Sequence, residues 1–304
     1  MTPSAPRVFA LNSLVPIGIT GADARTFLQG QLSNDLRRLT PQRALLASCN
    51  SAQGRVQTVI TLLERDDGIV ALIPASTVTR LLMRLRSYVL RSKVDFNDAP
   101  EYVLGPLTTT QAAGMVDVPP QEPGHCVTEG TITCLRWWSA DERYLLLAPR
   151  GAVQAANEAE EDLRWRRADI VAGLPQVYPQ THESFVAQML NLDLLGGISF
   201  DKGCYTGQEI IARTHYRGTI KRRMLRFAAS CTVPAAGTRV LHAGTHAGEV
   251  VDACAGSPES GHGCELLAVI SLDHANDALA LDGIDNSSLT PLSLPYAIPQ
   301  AAAA

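Results

Sequence analysis

The feature that most constrains this chain is a change of texture near residue 217. After it, short apolar runs at 224–228, 239–242, 249–253 and 266–272 are separated by Gly, Ala, Ser and Pro. That spacing predicts a small all-β unit, a sandwich or barrel. Before it, strand-like runs are mixed with isolated helical segments. Strands are predicted at 14–19, 45–49, 56–63, 69–73, 103–107, 131–137 and 144–148, with turns at 50–54 and 66–68. A helix follows Thr20, read as a cap with Asp23 in the reciprocal position, and its Phe27, Leu28 and Leu32 face a core. Residues 77–90 form an amphipathic helix with Val78, Leu81, Leu82, Leu85 and Val89 on one face. Residues 153–165 and 185–190 also read as helical. Such mixing without strict alternation favours an α+β fold over a doubly wound sheet.

At 304 residues the chain has room for two domains and needs neither disulfides nor metal to fold. Its seven cysteines, scattered and without a Cys-x-x-Cys pair, predict reduced thiols in a cytoplasmic compartment. No run reaches ~18 apolar residues, so no membrane span is expected. The opening residues lack a basic start followed by an apolar core, so no secretory signal is expected. The net charge of −4 excludes coating of nucleic acid by bulk charge, and direct nucleic-acid binding is not expected. The tail 299–304 is of low complexity and reads as frayed.

Against that background, residues 199–224 (SFDKGCYTGQEIIARTHYRGTIKRRM) stand out. Between Lys202 and Arg223 lie six basic residues and one acid, a local charge of +5 inside an acidic chain. Gly203 and Gly207 permit a sharp turn. Thr206 and Glu209 have capping-box spacing, and 210–213 would continue as a helix. Cys204 then precedes a helix N-terminus beside Lys202, and both the helix end and the ammonium favour a thiolate. The competing reading makes Cys204 a small apolar filler and the basic run a solvated face. Elsewhere, Trp165 is flanked by Arg164, Arg166 and Arg167, so a flat anionic ligand could stack there. Gln188 and Asn191 are polar groups within an apolar run, facing either a ligand or an internal network. His242 and His246 lie in a β region, where spacing of four does not pair them on one face of a helix, and no metal site is read.

The segment 202–209, KGCYTGQE, resembles the hallmark of the YgfZ folate-binding family, whose fold is that of the glycine-cleavage T-protein, an aminomethyltransferase. ITGADARTFLQGQLSNDL (19–36), YVLRSKVDF (88–96), WRRADIVAGLPQV (165–177) and FVAQMLNLDLLGGISFDKGCYTGQEIIARTHYRGTIKRR (185–223) are similar in the same order. The resemblance implies two α+β parts within 1–219 and a C-terminal β-barrel at 220–304, packed around an opening that holds tetrahydrofolate. It implies a role in iron–sulfur cluster assembly or repair, with an indirect role in tRNA modification, and iron–sulfur client enzymes or assembly proteins as partners. The resemblance carries over Cys204 as the motif cysteine and Trp165 as the tryptophan of the folate cavity; the residue reading adds Lys202 beside the thiol, and Gln188, Asn191 and Arg213 as further candidate folate contacts. A second aromatic contact of some relatives is replaced here by Leu14.

True aminomethyltransferases carry two acids in the stretch matching 50–58, and here Gln57 and Thr58 stand in those positions. Neither an amide nor a hydroxyl is a carboxylate base near neutral pH. The substitution counts against the alternative reading, a folate-dependent aminomethyl or one-carbon transferase, and leaves open whether the chain is an enzyme. A third reading is a non-catalytic module whose basic segment docks a protein or RNA.

Overall fold

The computed structural model describes residues 6–97, 102–257, 259 and 261–299. Strand β1 (Arg7–Phe9) and β2 (Leu14–Thr20) lead into helix α1 (Ala24–Gln31). Strands β3 (Leu45–Asn50), β4 (Val56–Arg65) and β5 (Gly68–Pro74), helix α2 (Val78–Val89) and β6 (Asp95–Asn97) complete the first part. The second contains β7 (Tyr102–Leu107), α3 (Thr109–Ala113), β8 (Cys126–Glu129), β9 (Ile132–Arg136), β10 (Tyr144–Pro149), β11 (Gln154–Ala156) and α4 (Ala159–Ala172). A long irregular stretch then reaches α5 (Gln208–Arg217). The last part is β12 (Arg222–Ala229), β13 (Arg239–His242), β14 (Thr245–Ala255), β15 (Cys264–Ser271), β16 (Leu279–Leu281) and β17 (Ser288–Leu292).

Three sheet systems result. The first is five-stranded, ordered β3-β4-β5-β2-β6, and the second four-stranded, ordered β7-β10-β9-β8. The third is a closed barrel, β12-β15-β14-β13-β16-β17, which removes every exposed edge of that sheet. The expected α+β class, with two mixed parts and a C-terminal barrel, is the observed one.

Local chemistry explains most elements. The apolar face of α2, Leu81, Leu82 and Leu85, is buried against Ile17, Ile60 and Ala71 of the five-stranded sheet. Phe27 of α1 meets Phe96 of β6 edge-on at 6.1 Å. The β4–β5 hairpin turns on Asp66-Asp67, with Arg65 opposite Gly68. Helix α4 stops at Gly173, whose φ of +67° is the left-handed conformation that ends helices. Its Arg166 grips Asp252 of β14, which also accepts from the Tyr178 hydroxyl at 3.0 Å, so the helix is tied to the barrel by a buried charge pair.

Four local expectations are corrected. Thr20 ends β2 rather than capping α1. Asp23 is the cap residue, but its carboxylate accepts from the Lys93 backbone N–H at 2.8 Å instead of from its own helix. Residues 153–165 are not one helix: 154–156 pair in parallel with 7–9, and the helix starts at Ala159 and runs on past Trp165. Pairing with a distant strand overrides local helix propensity there. Residues 185–190 form turns, because Val56 exchanges backbone hydrogen bonds with Phe185 and Glu183 across them. The Thr206/Glu209 box does not form either. Gly207 is the cap of α5, with no side-chain cap, and the Thr206 N–H donates to the Gly30 carbonyl. Of the tail 299–304, residues 300–304 lie outside the described residues.

Candidate functional site

Trp165 sits one and a half turns into α4 and is buried. Its ring packs on Trp137 with centroids 5.1 Å apart, and Trp137 in turn meets Trp138 edge-on at 5.5 Å. The Arg143 guanidinium lies 4.7 Å from the Trp165 ring centroid and is anchored to Asp169, one turn further along α4, at 2.8 Å. Trp137 Nε1 donates to the same Asp169 oxygen at 2.9 Å. Burial pushes the Asp169 carboxyl above its ordinary range, while Arg143 and Trp137 oppose that shift. Beside this stack opens a cavity of about 480 Å³. Phe9, Leu107 and Ala168 give it apolar walls, and Glu142, Arg143, Glu161 and Arg164 give it charge of both signs. The Trp165 Nε1–H is buried with no hydrogen-bond partner, as is the Nε of Arg143. Buried donors are rarely left unsatisfied. An orphaned indole N–H and two guanidiniums at a cavity of ligand size suit a flat ring with an acceptor edge and an anionic tail.

A second, smaller cavity of about 260 Å³ lies where β4 faces the start of α2. Gln57, Thr58, Thr77, Arg80, Leu81, Arg84 and His182 line it. Thr58 and Thr77 share a hydroxyl hydrogen bond of 2.9 Å. Arg84 reaches over β3, donating to Cys49 Sγ at 2.9 Å and to the Asn50 carbonyl at 3.1 Å. Burial nonetheless pushes the Cys49 thiol up to about 11. Burial, reinforced by Arg80, lowers the His182 pKa. Glu183, which the sequence offers together with His182 only as polar residues ahead of a helical run, has a carboxylate that accepts from Gln57 Nε2 at 2.7 Å. A carboxylate contributed by a distant segment thus stands beside Gln57, the position where the resemblance implied an acid. Glu183 is held at φ +61°, an uncommon conformation for a residue with a side chain. No local pattern could have revealed this pairing across 126 residues.

The remaining expected residues do not converge on either cavity. Cys204 is exposed, in the loop before α5, and lines neither. Lys202 is corrected most sharply. Its ammonium is buried and donates to the carbonyls of Gln29, Leu32 and Asn34 at 2.7, 2.7 and 2.9 Å, with the Tyr205 ring 4.7 Å away. It pins the end of α1 to the loop instead of sitting free beside the thiol. Burial pushes Lys202 down to about 8, with the Asp35 carboxylate drawing it back toward the charged form and Arg37 adding to the fall. Gln188 donates to the Ile211 carbonyl at 2.6 Å. Asn191 donates to the Met224 carbonyl at 2.8 Å and to the Tyr296 hydroxyl at 3.3 Å. Both are fully buried and brace parts of the fold, lining neither cavity, although Gln188 keeps a buried Oε1 without a partner. Arg213 is exposed on α5. Of the six cations between 202 and 223, Lys202 and Arg223 are internal, the latter paired with Asp193 at 2.6 Å, which leaves Arg213, Arg217, Lys221 and Arg222 at the surface. Leu14 is buried in the same apolar cluster as Trp165.

Gly207 has a requirement of its own. At φ +83°, an added Cβ would stand 2.5 Å from the Ser51 carbonyl oxygen and 2.9 Å from the Gly54 Cα. The 203–207 loop therefore docks backbone-to-backbone on the 50–54 turn, while Gly203 has open space around it and no such constraint.

No protein-family model matches the chain. Among solved structures, it is similar to the glycine cleavage system aminomethyltransferase T from Bartonella henselae, with a TM-score of 0.67 and 13% sequence identity over 95% of this chain and 85% of that one. At that identity the likeness establishes the fold: this chain has the architecture of aminomethyltransferase T. Among the described residues, no helix is long and apolar enough to cross a membrane.

Proposed function

We propose that this protein binds tetrahydrofolate in the cavity beside Trp165 and supports iron–sulfur cluster assembly or repair in the cytoplasm, with an indirect effect on tRNA modification. The observation that carries the folate reading is Trp165, which lines a cavity of about 480 Å³ and whose buried Nε1–H has no hydrogen-bond partner. The residues present fit the cofactor. Glu142 offers an acceptor for a pterin's amino and ring N–H groups, and the guanidiniums of Arg143, held by Asp169 at 2.8 Å, and Arg164, paired with Glu160 at 2.8 Å and Glu161 at 2.9 Å, would turn remaining N–H donors to its glutamate carboxylates. When bound, tetrahydrofolate supplies a carrier for one-carbon units. The protein's own part is to orient the flat ring on the indole stack, through Asp169 holding Arg143 in place.

Cys204 supports the client-facing half of the reading. Cys204 is exposed in the loop before α5, a helix that carries the exposed Arg213, Tyr216 and Arg217, and it does not line the folate cavity. Iron–sulfur client enzymes or assembly proteins would therefore meet the loop itself. The test is Cys204→Ser in cells lacking the native protein. Activities of iron–sulfur enzymes should fall toward the level of the null strain while the variant accumulates normally. Full activity with the serine variant would remove the thiol from the account.

The likeness to an aminomethyltransferase, together with the Glu183 carboxylate hydrogen-bonded to Gln57, favours a second reading, aminomethyl transfer to tetrahydrofolate. Here Glu183 would take the place of the missing acids in holding or accepting a proton. Turnover of an aminomethylated donor that is lost in Glu183→Gln would support it. No turnover in the wild-type protein would dismiss it.

A further inference from the structure

The barrel holds a cluster that neither the folate cavity nor the Cys204 loop uses. His242 ends β13, and its register partner in β16 is Leu279. Two residues before Leu279 lies Asp277, whose backbone N–H donates to the His274 carbonyl at 3.1 Å. Strand pairing thus brings His242 to a short turn 32 residues further along the chain, and three side chains converge. His274 Nδ1 is 2.8 Å and His242 Nδ1 is 3.6 Å from the same Asp277 oxygen, Oδ2. One ligand atom from each of the three residues fits within 4.8 Å of the other two. The imidazole rings are 4.5 Å apart and inclined at 46°.

These distances match a metal's demands. With bonds of about 2.0–2.1 Å, two ligands of a tetrahedral zinc ion lie about 3.3 Å apart. The observed 2.8 and 3.6 Å straddle that edge, and the third, between the two histidines, lies within 4.8 Å, so the side chains close on an ion by rotating toward it. Two imidazoles and a carboxylate are borderline donors that suit zinc rather than magnesium or calcium, which prefer all-oxygen shells. Both histidines are half-exposed and Asp277 is exposed, so an ion can enter without unfolding anything. We propose that His242, His274 and Asp277 form a zinc-binding site with an open coordination position, joining the β13–β14 hairpin to the connection between β15 and β16. A fourth position is left for water or for a donor group of a partner. A ring nitrogen binds zinc only without its proton, so binding competes with protons and weakens as pH falls.

The test uses the full chain, stripped with a chelator and titrated with zinc chloride by calorimetry. The expected result is saturable binding of one ion per chain, with a rise in melting temperature that follows zinc concentration. His242→Ala together with His274→Ala should weaken binding about tenfold or more, whereas His125→Ala should leave it unchanged. Cobalt chloride serves as a spectroscopic probe. Nitrogen and oxygen ligands give visible d–d bands without a thiolate charge-transfer band, which separates this site from binding at Cys204 or Cys231. On wild-type protein, ¹⁵N-histidine spectra should show zinc shifting the Nδ1 resonances of two rings. That readout stands even if a variant misfolds, and Asp277→Asn gives a milder perturbation. Absence of saturable binding, undiminished binding in the double variant, or a thiolate band with cobalt would each overturn the proposal.

Discussion

Replacing Lys202 with Met separates a structural lysine from one that activates a thiol. The methionine side chain keeps much of the apolar stem but leaves the Gln29, Leu32 and Asn34 carbonyls without their donor. Hydrogen bonds to a charged group contribute about 1.5–3 kcal/mol each, so three of them amount to roughly 6 kcal/mol. Removing the ammonium also removes the cost of burying it. The fall from 10.5 to about 8 corresponds to about 3 kcal/mol of that cost. The net destabilisation is then about 3 kcal/mol, a drop in apparent melting temperature of roughly 6–12 °C by the scaling for domains a little smaller than this chain. Thermal unfolding by circular dichroism measures it. Alkylation of Cys204, followed by mass spectrometry at fixed pH and well below the transition, should proceed at the wild-type rate, because the Lys202 hydrogen bonds go to carbonyls. A variant of wild-type stability, or a Cys204 alkylation rate that collapses in the folded state, would refute this assignment.

Two further outcomes follow from the same geometry. Gly207→Ala should cost roughly 1–3 kcal/mol in denaturant unfolding, since it combines a positive φ with a collision against the 50–54 turn, whereas Gly203→Ala should stay within about 0.5 kcal/mol of wild type. His182 has a folded-state pKa below its ordinary 6.5, so between those two values the unfolded chain binds more protons and stability must rise with pH. His182→Gln should flatten that part of the stability–pH curve, and an unchanged slope would contradict the burial of the ring beside Arg80.

What the sequence made legible was what depends on neighbours along the chain. The apolar face of α2, the Asp66-Asp67 turn and the short β runs of the barrel are periodic or local signals, and they fold as their period dictates. The failures come from long-range partners. Gln154–Ala156 became a strand because 7–9 offered an edge, and 185–190 became turns because Val56 claimed its backbone. Lys202 and Gln188 looked like site residues because buried polar groups and ligand-facing ones share a sequence signature. Only three-dimensional neighbours distinguish them. Gly173 shows the reverse case, a helix stop legible in advance that would have moved the end of α4 to its true place. The partners of Glu183 and Arg143 carried no local signal, since Gln57 and the Trp165 ring are each distant in the chain.

The folate claim is tested most directly by titrating the protein with tetrahydrofolate while following tryptophan fluorescence. The three indoles form one contact chain at the cavity, so a ligand stacked beside Trp165 should quench their emission saturably. Ala168→Phe, which fills the cavity, should abolish that quenching, and Arg164→Glu should weaken it, while Gln57→Leu in the other cavity should leave it intact. Quenching that never saturates, or that survives Ala168→Phe and disappears with Gln57→Leu, would contradict the placement of the cofactor beside Trp165.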